Sequence, residues 1–221
     1  LHEHLSISQE QSGISRALQA RLRDDEGRLH RLAEHLSPDT AAEPYRQKLR
    51  FMLEQLRRSG IEGRRVLRHQ PGHSPEPGTW YPNRQALLAE LDLIAASLRE
   101  NKASILADGL LADVRRQVEV FGLQLARLDL RQHSGVHEAA IAELLAVAGV
   151  HPDWTGLDEP QRLKLLEREL ASPRPLVRGR AGLSPATQEL LSTLGLAERA
   201  LTQVDAEALQ YHVISMAKSQ S

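Results

Sequence analysis

The sequence has no cysteine, which removes disulfide frameworks, thiolate zinc sites and cysteine nucleophiles at once. Aromatic residues make up only 3% of its 221 residues, too few for the stacking platform of a single-strand nucleic-acid binder. Charge of one sign is lacking as well. With 28 Lys+Arg against 29 Asp+Glu the formal net charge is −1, which argues against retention on nucleic acid or anionic lipid by bulk charge. The basic stretch of Arg57, Arg58, Arg64, Arg65 and Arg68 reads first as a solvated helix end. No apolar run approaches the roughly 20 residues that a bilayer crossing requires. The chain opens on Leu1-His2-Glu3-His4, neither an initiator methionine nor a basic-then-apolar leader. The expectation is a soluble cytoplasmic chain, internal to something longer, with no nucleic-acid or membrane partner.

What is present favours helix. Leu, Ala, Arg, Glu and Gln dominate, and β-branched residues are scarce, so the fold class reads as mainly α. Leu18, Leu22, Leu29, Leu32 and Leu36 follow a helical spacing, with a break allowed near Asp24-Asp25 or Gly27. Pro44 suits a first helical position and opens a second helix carrying Leu49, Met52, Leu53 and Leu56, expected to stop at Ser59-Gly60. A third helix is predicted from about Asn83 to Asn101, and a shorter fourth from Gly109 to Phe121. Pro and Gly crowd residues 69–82, predicting an irregular loop whose end Trp80 and Tyr81 pin to the body. Asp158 with Gln161 reads as a capping box, and Ser184-Pro185 as a further helix start.

One segment departs from helical spacing. Leu123-Gln-Leu-Ala-Arg-Leu-Asp-Leu-Arg131 alternates with period two, the pattern of a strand. Leu128 and Leu130 then share one face, while Arg127, Asp129 and Arg131 form a +, −, + row on the other, with Asp129 placed to hold both guanidiniums. A strand in so helical a chain is expected to be covered, so the row is expected to face an enclosed space. Buried arginines need anionic partners, and the guanidinium fork fits phosphate or carboxylate oxygens two at a time. The same pattern also fits a strand with a solvated face and a surface ion network. A turn, Gln132-His-Ser134, leads into a helix that Ser134 is placed to cap, with first-turn amides that favour an anion. His133 and His137 stand four apart, but without a third ligand nearby they read as ordinary hydrogen-bonded histidines, not a metal site.

Together these residues resemble a known family. Phe121-Gly122, Leu125 to Gln132, Ser134 and His137 are similar to the F-G-x-x-L-x-R-L-D-I-R-Q-x-S-x-x-H segment of the phosphoenolpyruvate carboxylases. Glu43-Pro44-Tyr45-Arg46 resembles that family's E-P-Y-R, Arg174-Pro175-Leu176 its R-P-L, and Tyr211-His-Val-Ile-Ser-Met-Ala217 its Y-x-I-S-M-A strand. Ala139 and His212 depart from the family pattern, where a Glu and a small apolar residue are common.

The resemblance implies an internal piece of the bacterial-type enzyme. Residues 1–122 would be a helical region, and residues 123–221 an incomplete part of a distorted β/α (TIM-like) barrel. Its two short parallel strands would lie near 123–131 and 211–216, with Ile214 and Met216 in the barrel core. The implied reaction is carboxylation of phosphoenolpyruvate by bicarbonate to oxaloacetate and phosphate, with Mg²⁺ or Mn²⁺, in a homotetramer. Carried over residue by residue, Arg131 is the catalytic and substrate-binding anion clamp and Asp129 its orienting neighbour. Arg127 and Gln132 are secondary substrate contacts, and no metal ligand is expected in the segment. The family's T-A-H-P-T-E and H-G-R-G motifs are absent here, so the chain alone is expected to be inactive. The alternative reading is a non-catalytic helical interaction module, which high Leu and Ala content and near-zero net charge would suit.

Overall fold

Ser15 begins the first element because its Oγ accepts the Leu18 amide at 3.1 Å, satisfying a donor that the first turn leaves without a partner. The computed structural model describes residues 13–30, 43–70, 76–124, 126–179, 181–219 and 221. The chain divides into two compact units, Leu1–Ala126 with Thr202–Ala206, and Arg127–Leu201 with Glu207–Ser221. Helix predominates in the first.

Its elements are α1 (Arg16–Arg28), α2 (Pro44–Leu67), α3 (Arg84–Glu100), the single turn α4 (Ser104–Ala107) and α5 (Leu110–Phe121). Helix α1 runs through Asp24, Asp25 and Gly27 without a break. Leu32 and Leu36, the last two residues of its predicted stripe, lie outside the described residues. Helix α2 corrects the predicted stop at Ser59-Gly60 by continuing to Leu67. A glycine within a helix costs on the order of 1 kcal/mol, and tertiary contacts outweigh it here. Val66 is buried, Glu62 is buried and paired with Arg65, and Ser59 Oγ donates to the Gln55 carbonyl at 2.9 Å. That same hydroxyl accepts the Tyr81 amide at 2.8 Å, so the end of the 69–82 loop is fastened to α2. Gln55 Nε2 adds a bond to the Gly78 carbonyl at 2.8 Å, and Tyr81 is buried; residues 71–75 of the loop lie outside the described residues. Helix α3 starts and ends where its asparagines predict, with Asn83 Oδ1 accepting the Ala86 amide at 3.0 Å and Asn101 at the C-cap.

Leu18, Leu22, Tyr45, Phe51, Leu91, Ile94, Leu98 and Leu111 form the apolar core of this unit. Set into it is a group of charges. Lys48, fully buried, places its Nζ 2.5 Å from Asp25 Oδ2 and 2.5 Å from Glu90 Oε2. Arg21 closes the cluster, its Nε donating to Glu90 Oε1 at 2.7 Å. Burial pushes the Asp25 carboxyl above its ordinary value, against the pull of Lys48 and Arg21. One cation thereby ties α1, α2 and α3 together.

The second unit runs β1 (Leu128–His133), α6 (Ser134–Val147), α7 (Glu159–Leu170), α8 (Pro185–Arg199) and β2 (Leu209–Ser215). The π-helical turn Ala200–Val204 follows α8. Strands β1 and β2 pair in parallel, with Asp129 opposite Tyr211, Arg131 opposite Val213 and His133 opposite Ser215. A parallel pair requires a crossover, which the three helices supply. Strand β1 starts later than the predicted 123 because β2 gives it no partner before Leu209; the first ladder bond runs from the Leu128 amide to the Ala208 carbonyl at 3.0 Å. Asp158 and Gln161 form the predicted capping box at α7. Ser184 caps α8 and is gripped by Glu143 of α6, its hydroxyl donating to Oε2 at 2.7 Å. A small core of Leu145, Trp154 and Leu165 lies beneath α6 and α7.

Replacing Lys48 by Ala takes one of two cations from the buried pair of carboxylates and leaves Asp25 and Glu90 to Arg21 alone. Losing one partner of such a group costs roughly 3–5 kcal/mol, so K48A should lower the urea midpoint steeply. Equilibrium unfolding followed by circular dichroism measures it.

Candidate functional site

The strand pair has two different faces. Alternation and register put Leu130, Gln132, His212 and Ile214 on one face, and Asp129, Arg131, Tyr211 and Val213 on the other. Helix α6 covers the first face, as the His137 ring, 5.3 Å from that of His212 by centroid, makes plain. On the second face Asp129, Arg131, Tyr211 and Val213 are all exposed.

This arrangement corrects the expected enclosure. Arg127, Asp129 and Arg131 are all exposed, and the regular +, −, + row is broken. The ladder shifts register between Leu128 and Asp129, with Gln210 as the additional residue on β2, so Arg127 stands ahead of the strand. There it pairs with Glu207 instead of Asp129. Neither Asp129 nor Arg131 has a side-chain ion pair among the described residues. The physical cause is that two strands by themselves cannot bury a charged row on the face turned from α6. Ile214 and Met216, expected in a barrel core, are 45% and 67% exposed, because the two described strands alone form no closed interior to bury them. Gln132 is half-buried, and its Oε1 accepts the neighbouring His133 amide at 2.8 Å.

The turn after β1 is also built differently from its sequence expectation. His133, not Ser134, caps α6: its Nδ1 accepts the Gly135 amide at 2.9 Å. Ser134 Oγ donates to the Met216 carbonyl at 2.8 Å, joining the ends of both strands. Met216 adopts φ +58, a left-handed backbone that turns the chain away as β2 ends. The carboxyl ends of β1 and β2 are thus locked side by side, where parallel sheets gather ligands. Among the described residues no three His, Asp or Glu side chains converge in metal-ligating proximity.

Sequence reasoning missed the helix-side contents of this region. Behind the strands a cavity of about 570 Å³ is bounded by His137, Trp154, Arg162, Leu166 and Lys218, among others. Arg162 stacks over the Trp154 ring at 5.0 Å and binds Glu138 at 3.0 Å. Nothing in the linear order of these residues brings 137, 154, 162 and 218 together; only the crossover does.

Desolvation, with the nearby His212 second, holds the His137 ring below the ordinary histidine range. Substituting His212 by Ala should raise the His137 pKa while leaving it under that range, because desolvation is the larger cause. Histidine ring resonances followed by NMR across pH 4–8 report the shift.

The family model described as phosphoenolpyruvate carboxylase matches residues 1–221. A phosphoenolpyruvate carboxylase of Roseiflexus castenholzii is 38% identical over the whole of this chain and 24% of its own length. That of Mycolicibacterium paratuberculosis is 42% identical over 82% of this chain and 19% of its own length. That of Azorhizobium caulinodans is 35% identical over 82% of this chain and 20% of its own length. The chain spans about a fifth to a quarter of the length of these relatives. By the match along its full length and by these identities, the chain belongs to the phosphoenolpyruvate carboxylase family.

Proposed function

We propose that this chain forms part of a phosphoenolpyruvate carboxylase, a carbon–carbon lyase that joins phosphoenolpyruvate to bicarbonate and yields oxaloacetate and phosphate. Arg131 is the side chain proposed to hold the anionic substrate. The observation that carries this reading is the placement of Arg131: exposed on the second face of the strand pair, near its carboxyl end, with no ion-pair partner among the described residues.

Every species in that reaction is an anion. A phosphate, a carboxylate and a developing enolate oxygen all gain from a fixed guanidinium, and most from one whose fork is not already occupied. Arg127 is different, since Glu207 already neutralises it, and its part is to position the start of β1. Asp129 stands two residues from Arg131 on the same face and is suited to orient the guanidinium. Gln132 points to the helix side and makes a weaker candidate for substrate contact.

A strand pair with one face on helices and a charged face away from them is what a β/α barrel wall looks like from within. In the longer protein further strands would extend the sheet and enclose the Arg131 face. That arrangement reconciles the exposed row with its proposed chemistry. The divalent cation, Mg²⁺ or Mn²⁺, would then be held by residues outside the described set. A cytoplasmic homotetramer is the assembly that accompanies this reading.

In a full-length enzyme containing this sequence, R131A should lower kcat/KM by about 100-fold or more, the scale seen when a charge-stabilising donor is removed. Exposure of the side chain means that circular dichroism should be unchanged. R127A should cost far less. The 221-residue chain by itself should release no oxaloacetate in a coupled malate dehydrogenase assay. Unaltered kinetics in R131A would remove Arg131 from the site.

A further inference from the structure

The ladder of β1 and β2 is regular over only part of its length. Its amino end carries the register shift between Leu128 and Asp129, so even pairing runs from Asp129 opposite Tyr211 to His133 opposite Ser215. Arg131 sits in the middle of this stretch. Among the described residues the sheet has two strands, and a sheet that small is marginal and frays from its ends unless something closes it.

The carboxyl end is closed by side-chain hydroxyls working in both directions. Ser134 Oγ, at the start of α6, donates to the Met216 carbonyl at 2.8 Å across 82 positions of sequence. In return Ser215 Oγ, at the end of β2, donates to the carbonyl of Gln132, the residue after Arg131, in a longer bond of 3.4 Å. Ser134 is available for this because His133 Nδ1 has taken the Gly135 amide, the kind of bond a capping serine supplies. The acceptor is unusual too. Met216 holds φ +58, a left-handed backbone that a residue with a Cβ adopts only at a cost, and such a conformation persists where its surroundings enforce it. The Met216 side chain is mostly exposed, so its own burial is not what holds it; the Ser134 hydroxyl is a tether on that peptide.

We infer that Ser134 is a positioning residue for Arg131: by tying the start of α6 to the Met216 carbonyl it fixes the carboxyl end of β1, and with it the direction from which the Arg131 guanidinium meets an anion. Ser215 adds a weaker second tie. A displacement of roughly 1 Å in a group that meets the reacting atoms can cost on the order of 100-fold in rate, so a strand end free to fray is a poor mount for a charge-stabilising fork.

This role rests on the part proposed for Arg131, and the kinetics of both variants keep the two apart. In a full-length enzyme carrying this sequence, S134A should lower kcat/KM for phosphoenolpyruvate by about tenfold with the circular dichroism spectrum unchanged. S134T keeps the hydroxyl and should recover most of that loss. S134C keeps the size with only a weak donor, and covers the case in which S134A does not fold. The decisive readout is the double variant: in an R131A background S134A should cost less than about twofold, since the side chain it positions is gone. A full S134A loss on top of R131A would mark a role in the fold alone and overturn the inference. S134T as impaired as S134A would overturn it too, as would parental kinetics in S134A beside an impaired R131A. Unaltered kinetics in R131A would remove the anion clamp itself, and its positioning with it.

Discussion

The parallel ladder between Leu128–His133 and Leu209–Ser215 is the constraint on which the functional half of the molecule rests. Two strands some eighty residues apart in sequence can run parallel only if the chain between them returns over one face. Helices α6, α7 and α8 make that return, and α6 is drawn onto β1 by the abrupt turn at His133-Ser134. Everything of chemical interest follows from the asymmetry. One face of the ladder carries His212 against His137 and the cavity behind them; the other presents Asp129 and Arg131. The Ser134–Met216 hydrogen bond keeps the two carboxyl ends in register at the point where ligands would approach.

The helical unit answers to a different interaction. Lys48, Asp25 and Glu90 form a buried charge cluster inside a leucine-rich core, where desolvation makes every unpaired charge expensive. Such a cluster contributes little net stability relative to apolar residues of similar size, but it strongly disfavours any packing that separates its members. Leucine stripes on α1, α2 and α3 admit several mutual rotations. Only rotations that bring Asp25 and Glu90 to Lys48 avoid burying a charge alone. The Glu43-Pro44-Tyr45-Arg46 helix start places Lys48 one turn into α2, and Tyr45 meets Ser97 of α3 at 2.9 Å, so the motif and the cluster orient the same helix.

Local signals decide many of the boundaries. The capping box at Asp158, the serine cap at Ser184, the asparagines bounding α3 and the Phe121-Gly122 helix end are each decided by a few adjacent residues. Elsewhere a distant partner intervenes. Helix α2 overran Ser59-Gly60 because Ser59 is used by Tyr81, and Ser134 gave up the expected cap because Met216 offers it a carbonyl. Arg127 left the charged row because Glu207, eighty positions away, reaches it first. The enclosure expected of that row failed for a related reason: alternation shows which residues share a face but not what lies opposite it.

Sequence by itself determined the helical class, most helix boundaries, the period-two segment with Arg131 and the family to which the chain belongs, because these depend on neighbours within a few residues or on contiguous motifs. Tertiary structure alone decided which face of the ladder is covered, which carboxylates meet Lys48, and that His137, Trp154, Arg162 and Lys218 border one cavity. Those outcomes depend on the parallel crossover and on helix rotation, and pairings across such separations leave no periodic trace along the chain.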